Sequence, residues 1–539
     1  MARLVFSADD GSTGRELWTT DGTAAGTQLL ADLWPGGGAG NPASPTPLGD
    51  GRAIFAATDP VHGTEPWITD GTATGTRLIL DINTAGSGFG ASYPGNFTRL
   101  GEGRVLFTAS DPEHGTEPWV TDGTAAGTRV LETVPGPGGS YPSGGFVALG
   151  DGRALFGAGD SVYGTELWVT DGTPGGTRLV ADINPGSAGS YPGGYSPNAP
   201  GMASLGDGRD VFAAEDGSNG RELWISDGTA AGTRLLVDLW PGTYSSYPGS
   251  GGYPGSGSPA NFIALGPGRV LFTASDPGHG TELWVTDGTA AGTRLVADLW
   301  TGTNIPYPGA PPTAASSSPG NLLALGDGRV LFAADDGVRG RELWVTDGTA
   351  AGTRLVADLW EGGGSSHPGS TSGYYPSPYG PPPYGPTSSG PGGSLALGDG
   401  RALLSATDPV HGTELWVTDG TAAGTRLVED INRNLQGFAG SSPSYFAALG
   451  DGRAVFTADD GANGTEPWIS DGTPGGTQLL RNINPGAGGS GATGYAPVSP
   501  GGGAEPPAPP PPPAGETDWN ALAARVMEHY AQTGEWLVL

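Results

Sequence analysis

The sequence predicts an all-β chain of tandem four-stranded antiparallel units, about nine of them, forming a β-propeller or propeller-like ring, plus a short C-terminal helix. Three observations predict it. A string of the form Glu-Leu-Trp-x-x-Asp-Gly-Thr returns nine times, apolar runs are short and evenly spaced, and turn formers are abundant, with 101 glycines and 50 prolines in 539 residues. Internal repeats divide such a length into small units, and many short strands joined by tight turns account for the glycine and proline content better than disorder does.

The repeat tryptophans are Trp18, Trp67, Trp119, Trp168, Trp224, Trp284, Trp344, Trp416 and Trp468. Consecutive ones lie between 49 and 72 residues apart, and a propeller blade of four short strands needs roughly 40–50 residues. One unit shows the strands in order. Phe262-Ile263-Ala264-Leu265 is short and apolar, and a Gly-Pro-Gly turn follows it. Val270-Leu271-Phe272-Thr273-Ala274 is a continuous apolar run, as expected of a strand covered on both faces. A turn from Asp276 to Gly280 leads into Glu282-Leu283-Trp284-Val285-Thr286, and Asp287-Gly288-Thr289 turns the chain into Thr293–Asp298. The leucine before tryptophan becomes Pro66, Pro118 and Pro467 in three units, which places that strand at an edge or a bulge.

Length variation is confined to one loop per unit, between strand three and strand four when the strands are counted from Arg3. It spans 16 residues from Asp32 to Leu48 and 39 from Asp358 to Leu397. Recurring at one place in every unit, the long loops must leave one face of the array. They hold most of the tyrosines on a Gly/Ser/Pro background: Tyr93, Tyr141, Tyr191, Tyr195, Tyr244, Tyr247, Tyr253, Tyr307, Tyr374, Tyr375, Tyr379 and Tyr384. Tyrosine on Gly/Ser scaffolding is the composition of binding loops; flexible low-complexity insertion is the other reading.

The formal charge of −31, with arginine as the basic residue throughout, argues against nucleic acid and anionic membrane partners. Without cysteine, disulfides and thiolate metal sites are excluded. No apolar run reaches membrane-spanning length, and the N-terminus enters a strand-like run (Arg3-Leu4-Val5-Phe6) without the pattern of a secretory signal.

These units resemble the bacterial ELWxxDGT repeat family, also termed hyalin-like, over residues 1–490. The resemblance implies a secreted or cell-surface protein and little about chemistry. Residues 491–515 read as a Gly/Pro-rich linker ending in the polyproline run 506–513, and 516–539 as a helix with an apolar tail. The final Glu535-Trp536-Leu537-Val538-Leu539, behind a helix from Asp518, resembles the uncleaved signal of type I secretion substrates, whose machinery would be a partner. The tail resembles those of RTX proteins, although their glycine-rich nonapeptide is absent. A second reading uses the fact that the array begins at its second strand: Trp536–Leu539 would supply the missing strand, closing the ring or joining a second copy.

Candidate sites divide by how often they occur. The nine tryptophans read as packing between neighbours, and the Asp21-type aspartates as turn formers. Asp10 with Glu16, Asp59 with Glu65, and Asp111 with Glu117 lie six apart across a hairpin turn. Capping or pairing with arginine is their first reading and calcium ligation the second. His62, His114, His279 and His411 occupy a freely varying turn position. No nucleophile elbow, zinc-binding histidine pair or phosphate loop is present, and no unit departs from the rest except in loop length. The sequence therefore leads to the expectation of a non-enzyme: a secreted binding or adhesion protein using the tyrosine loops on one face, with extracellular glycan or a protein surface as partner. The alternative is a fibre-forming or surface-layer protein self-assembling through its C-terminal strand.

Overall fold

The computed structural model describes residues 3–499 apart from 85–89, 102, 195–200, 245–251, 305–312, 361–392, 434–439 and 487. Nine four-stranded antiparallel sheets stand in a closed ring, a nine-bladed β-propeller. Blade 2 shows the pattern, with strands Ala43–Pro47, Ala53–Asp59, Gly63–Thr69 and Arg77–Leu78 from the centre outward. The first strand of each blade touches the first strands of both neighbouring blades all the way round, so these nine strands surround the axis. Among the described residues the only helical turns are two short ones, Pro174–Gly176 and Pro474–Gly476; the expected C-terminal helix lies outside the described residues.

The register repeats from blade to blade. An aromatic on the second strand faces the tryptophan of the third, as in Phe6 opposite Trp18, Phe55 opposite Trp67 and Phe272 opposite Trp284; Leu404 takes that place opposite Trp416. One sheet buries a single face poorly on its own, so each blade is covered by the next. Val5, Leu17 and Leu33 of blade 1 form one core cluster with Ala53, Phe55 and Ala57 of blade 2, while Trp67 packs against it. Trp168 of blade 4 joins a cluster built on Leu100, Leu106 and Val120 of blade 3. The tryptophans are thus inter-blade packing, as their nine-fold recurrence suggested.

Two sequence expectations change. The proline-bearing strand is the third of four and not an edge, so of the two expected settings the bulge holds, the register shifting at the equivalent Leu17–Trp18 step, and what proline changes is the length of its neighbour. Leucine blades have a four-residue fourth strand, such as Gln28–Ala31, in which Leu17 pairs with Ala31 across a bulge. In the three proline blades the fourth strand shrinks to two residues, Arg77–Leu78, Arg129–Val130 and Gln478–Leu479. Proline has no N–H for the ladder; its carbonyl still accepts, from Ile79 N to Pro66 O at 2.9 Å.

The strand missing from the first unit is supplied from the other end of the repeat array. Thr493–Val498 pairs antiparallel with Arg3–Asp9 and completes blade 1. It lies inside the segment expected to be a linker, and it occupies the place the second reading gave to Trp536–Leu539. Glu535, Trp536, Leu537, Val538 and Leu539 lie outside the described residues. Tyr495 anchors the strand, its ring 5.0 Å from that of Phe6 and its hydroxyl 3.0 Å from Thr457 Oγ1 of blade 9. The Phe6–Tyr495 contact repeats within blade 1 the first-to-second-strand pairs Phe97–Phe107 and Phe262–Phe272 of blades 3 and 6, and the bond to Thr457 ties the closing strand to blade 9.

Candidate functional site: the loop face

Antiparallel order sends the connections alternately to the two faces of the ring. One face carries the turns between first and second strands and the Asp-Gly-Thr turns. The other carries the turns between second and third strands together with the inter-blade loops. On the first face arginines reach across blade boundaries to backbone carbonyls: Arg52 to Asp122 O at 3.2 Å, Arg104 to Asp171 O at 2.7 Å, Arg329 to Asp419 O at 3.0 Å and Arg401 to Asp471 O at 3.1 Å. Each Asp-Gly-Thr turn is closed by its own aspartate, which accepts from the following threonine, as Asp21 Oδ1 does from Thr23 N and Oγ1.

On the loop face the repeat glutamate is the organising residue. Glu16, Glu65, Glu117, Glu166, Glu222, Glu282, Glu342, Glu414 and Glu466 are fully buried on the third strands. Each accepts backbone N–H bonds from where its loop leaves the blade, and in most blades from where the loop returns as well. Glu16 holds Leu33 N at 2.8 Å and Gly40 N at 2.7 Å. Glu65 holds Ile82 N and Ser92 N, and takes a 2.6 Å bond from Ser92 Oγ. Glu117 holds Thr133 and Ser140 through N–H and hydroxyl donors. Glu282 holds Leu299 N, Ser317 N and Ser317 Oγ. Burial pushes these carboxyls up: Glu166 to about 6, and Glu222, Glu282 and Glu414 to about 7, against the opposing pull of the donors.

The paired aspartates form the neighbouring turns. Asp10 Oδ1 accepts from Ser12 N and Thr13 N, and Asp59 Oδ1 from Val61 N and His62 N. His62 Nδ1 lies 2.7 Å from Asp59 Oδ2, and His114 Nδ1 2.8 Å from Asp111 Oδ2, which holds the His114 imidazole above its ordinary value. Asp10 and Glu16 therefore do separate work, one capping a turn and the other clamping a loop. Among the described residues no group of three or more histidine, aspartate or glutamate side chains is arranged to hold a metal ion.

The tyrosines stand directly after the clamp. Tyr93, Tyr141 and Tyr191 follow Ser92, Ser140 and Ser190 and have φ of 48°, 48° and 47°. Their N–H groups donate to Thr64 O, Thr116 O and Thr165 O. The same slot holds Asn41, Ser258, Ser318 and Ser442, also left-handed. A bulky side chain in this region is unusual, yet Tyr93 is 73% and Tyr141 67% exposed. Tyr253 is 75% exposed on the projecting hairpin of Thr243–Tyr244 and Tyr253–Pro254. Tyr195, Tyr247, Tyr307, Tyr374, Tyr375, Tyr379 and Tyr384 lie outside the described residues. Sequence reading overlooked the exposed Val61, Val162, Val338 and Val410 at the turn tips of this face, and Tyr445 on the first strand of blade 9.

It also overlooked a unique residue. The column Leu4, Ala53, Val105, Ala154, Val270, Val330, Ala402 and Ala454 opens the second strand and pairs with a threonine or serine across the ladder. Blade 5 has Asp210 in this column, opposite Ser226. It is fully buried, and neither carboxylate oxygen has a hydrogen-bond partner. One unit does depart chemically from the rest, contrary to the expectation from the sequence. Comparing the units column by column would have revealed it.

No family model and no curated protein matches the chain. Solved structures do, at low identity. A puromycin-hydrolysing peptidase from Mycobacterium tuberculosis matches at 14% identity and a TM-score of 0.39, over 82% of this chain and 54% of that one. A prolyl endopeptidase structure matches at 12% and 0.35, over 64% and 46%. The β-propeller domain of the Trilobed protease from Pyrococcus furiosus matches at 10% and 0.30, over 73% and 98%. The chain spans about half the length of the first two, and these likenesses concern the fold. The expectation of a non-catalytic adhesion protein and non-enzyme is corrected: the matching chains are named as peptidases, and a propeller array does not by itself exclude chemistry. Asp210 removes the other ground for that expectation, the chemical identity of all nine units.

Proposed function

We propose that the loop face is a recognition surface for an extended, basic polypeptide, taken up as substrate or partner. The observation that carries this reading is the pair Tyr93 and Tyr141, held left-handed at equivalent slots of successive loops and still more than two-thirds exposed. Strained backbone that presents an aromatic to solvent is a mark of function more often than of packing. Exposed aromatic faces suit arginine and lysine side chains, and the chain's charge of −31 would draw in a basic segment. A glycan is the second reading, since exposed tyrosine rings also suit sugar faces.

The test is binding of arginine-rich peptides and of neutral oligosaccharides to the full chain and to the Tyr93→Ala/Tyr141→Ala variant, at low and high salt. Peptide binding that weakens with salt and is lost in the variant supports the proposal. Binding unchanged by both substitutions refutes it, and oligosaccharide binding lost in the variant transfers the surface to the second reading. Aminoacyl and peptidyl reporter substrates belong in the same panel; turnover would make the bound polypeptide a substrate. Export from a bacterial cell and stabilisation by calcium extend the proposal. The motive for calcium is the buried, unpartnered Oδ1 of Asp81, Asp182, Asp238, Asp298, Asp358 and Asp430 where the loops leave the blades. Melting with EDTA and with millimolar calcium tests that extension, and secretion of a chain lacking 516–539 tests export.

A further inference from the structure

Residues equivalent to Asp210 all point into the preceding blade. Ala53 lies in one cluster with Val5 and Leu17, Val270 with Val211 and Leu223, and Ala454 with Leu403 and Leu415. The corresponding wall facing Asp210 in blade 4 is Leu149, Leu155, Leu167 and Val169. A carboxyl group there sits against aliphatic side chains, and neither of its oxygens has a hydrogen-bond partner of good geometry among the described residues. The Ser204 hydroxyl on the adjoining first strand faces it, and so do two further acids, Asp151 from the turn of blade 4 and Asp207 from its own turn. Those two aspartates are held by Arg153 and Arg209, each at 2.6 Å, so neither arginine is left over for Asp210.

We propose that Asp210 makes the seam between blades 4 and 5 a pH-sensitive joint, closed while its carboxyl is protonated and loosened when the carboxylate forms. An unpaired charge in an apolar seam costs far more than a neutral acid, and only separation of the blades or entry of water relieves it. Burial together with Asp151 and Asp207 raises this carboxyl to about 7, which places the change near neutrality. The same seam is weakened at a second point. Met202 stands in the first strand where blades 3, 4, 6 and 9 have Phe97, Phe146, Phe262 and Phe446, and Met202–Ser204 is three residues long where blades 3 and 6 have seven.

Hydrogen exchange on the full chain tests this, with peptides from 149–169 and 210–226 compared with those of the seam between blades 8 and 9 at pH 5.5 and pH 8. After correction for intrinsic exchange, the 4–5 seam should open about thirtyfold more often at pH 8 than at pH 5.5, since opening rises about tenfold per pH unit up to the group's value near 7 and levels off above it, while the 8–9 seam changes little. Asp210→Ala installs the residue that blades 2, 4, 8 and 9 already carry and should abolish the difference. Asp210→Asn, neutral at both pH values, should abolish it too. An equal pH response in wild type and Asp210→Ala, or a 4–5 seam as protected as the 8–9 seam at pH 8, overturns the proposal.

Discussion

The two faces of the ring are built from the same nine repeats and behave oppositely. On the arginine face every turn has a fixed length because it touches the next blade, as Arg52, Arg104, Arg329 and Arg401 do. On the loop face the glutamate holds the chain at the loop base, and some loops add bonds of their own, such as Asn184 Nδ2 to Gly189 O at 3.2 Å and the hairpin of Thr243–Tyr244 with Tyr253–Pro254. The first clamp donor comes 17 residues after the glutamate in blades 1, 2, 4, 5 and 6. The second comes after 24, 27 or 35. Inter-blade contact fixes length; a two-point clamp leaves the length of the segment between its points free to vary.

The comparison can be broken most severely at ring closure. A chain ending at residue 490 loses Thr493–Val498 with the buried Ala496 and Val498 and the half-buried Tyr495, and should lose several kcal/mol and its single sharp melting transition. A chain ending at residue 502 should melt like the full protein in the same calorimetric scan.

Removing one clamp comes next. Glu166→Ala strips the acceptor from Ile183 N, Asn184 N, Ser190 N and Ser190 Oγ, at about 3–5 kcal/mol if two or three of these donors stay buried. Denaturant titration measures the loss, and limited proteolysis should cut within 184–200 first. If the arginine face were the only source of rigidity, neither effect would appear.

A smaller effect is the pH slope. Glu166, Glu222, Glu282 and Glu414 have folded values raised to about 6–7 above the ordinary glutamate value. Raised carboxyls contribute stability that is fully present below the unfolded value and is lost as pH rises through the folded one. Melting temperature should therefore fall between about pH 4.5 and pH 7 and level off above. A rise over that interval would show that the clamps are ionised throughout.

The smallest change sharpens the comparison within one sheet. Pro66→Leu restores an N–H to the ladder and should lengthen the strand Arg77–Leu78 toward the four residues of the leucine blades, gaining about 0.5–1 kcal/mol. Slower exchange of amides 77–80 would show it; an unchanged strand would mean that other residues set its length.

Much of the fold was legible because nine copies average out local ambiguity. Strand order, blade number and the face of the long loops follow from the recurrence of Glu, Trp, Asp, Gly and Thr. The closing strand was not, since Thr493-Gly494-Tyr495-Ala496-Pro497-Val498 lacks the Leu-Gly-Asp-Gly mark and sits in a glycine-rich stretch. The role of glutamate was hidden because its partners are backbone N–H groups, which any residue supplies. Tyr93 and Tyr141 were named, but their left-handed backbone has no sequence signature beyond the following proline. Asp210 is legible only as a single departure from a column of Leu, Ala and Val, and one departure carries no repeat signal.

The clamp also bears on how such a chain can change over generations. Closing a longer loop costs only logarithmically more, and here the ends are pinned whatever lies between. Each blade thus offers a socket whose insert can be lengthened, shortened or exchanged without disturbing the ring. An insertion that would unfold the protein on one face becomes, on the other, raw material for a new specificity, and nine sockets side by side let such inserts be combined.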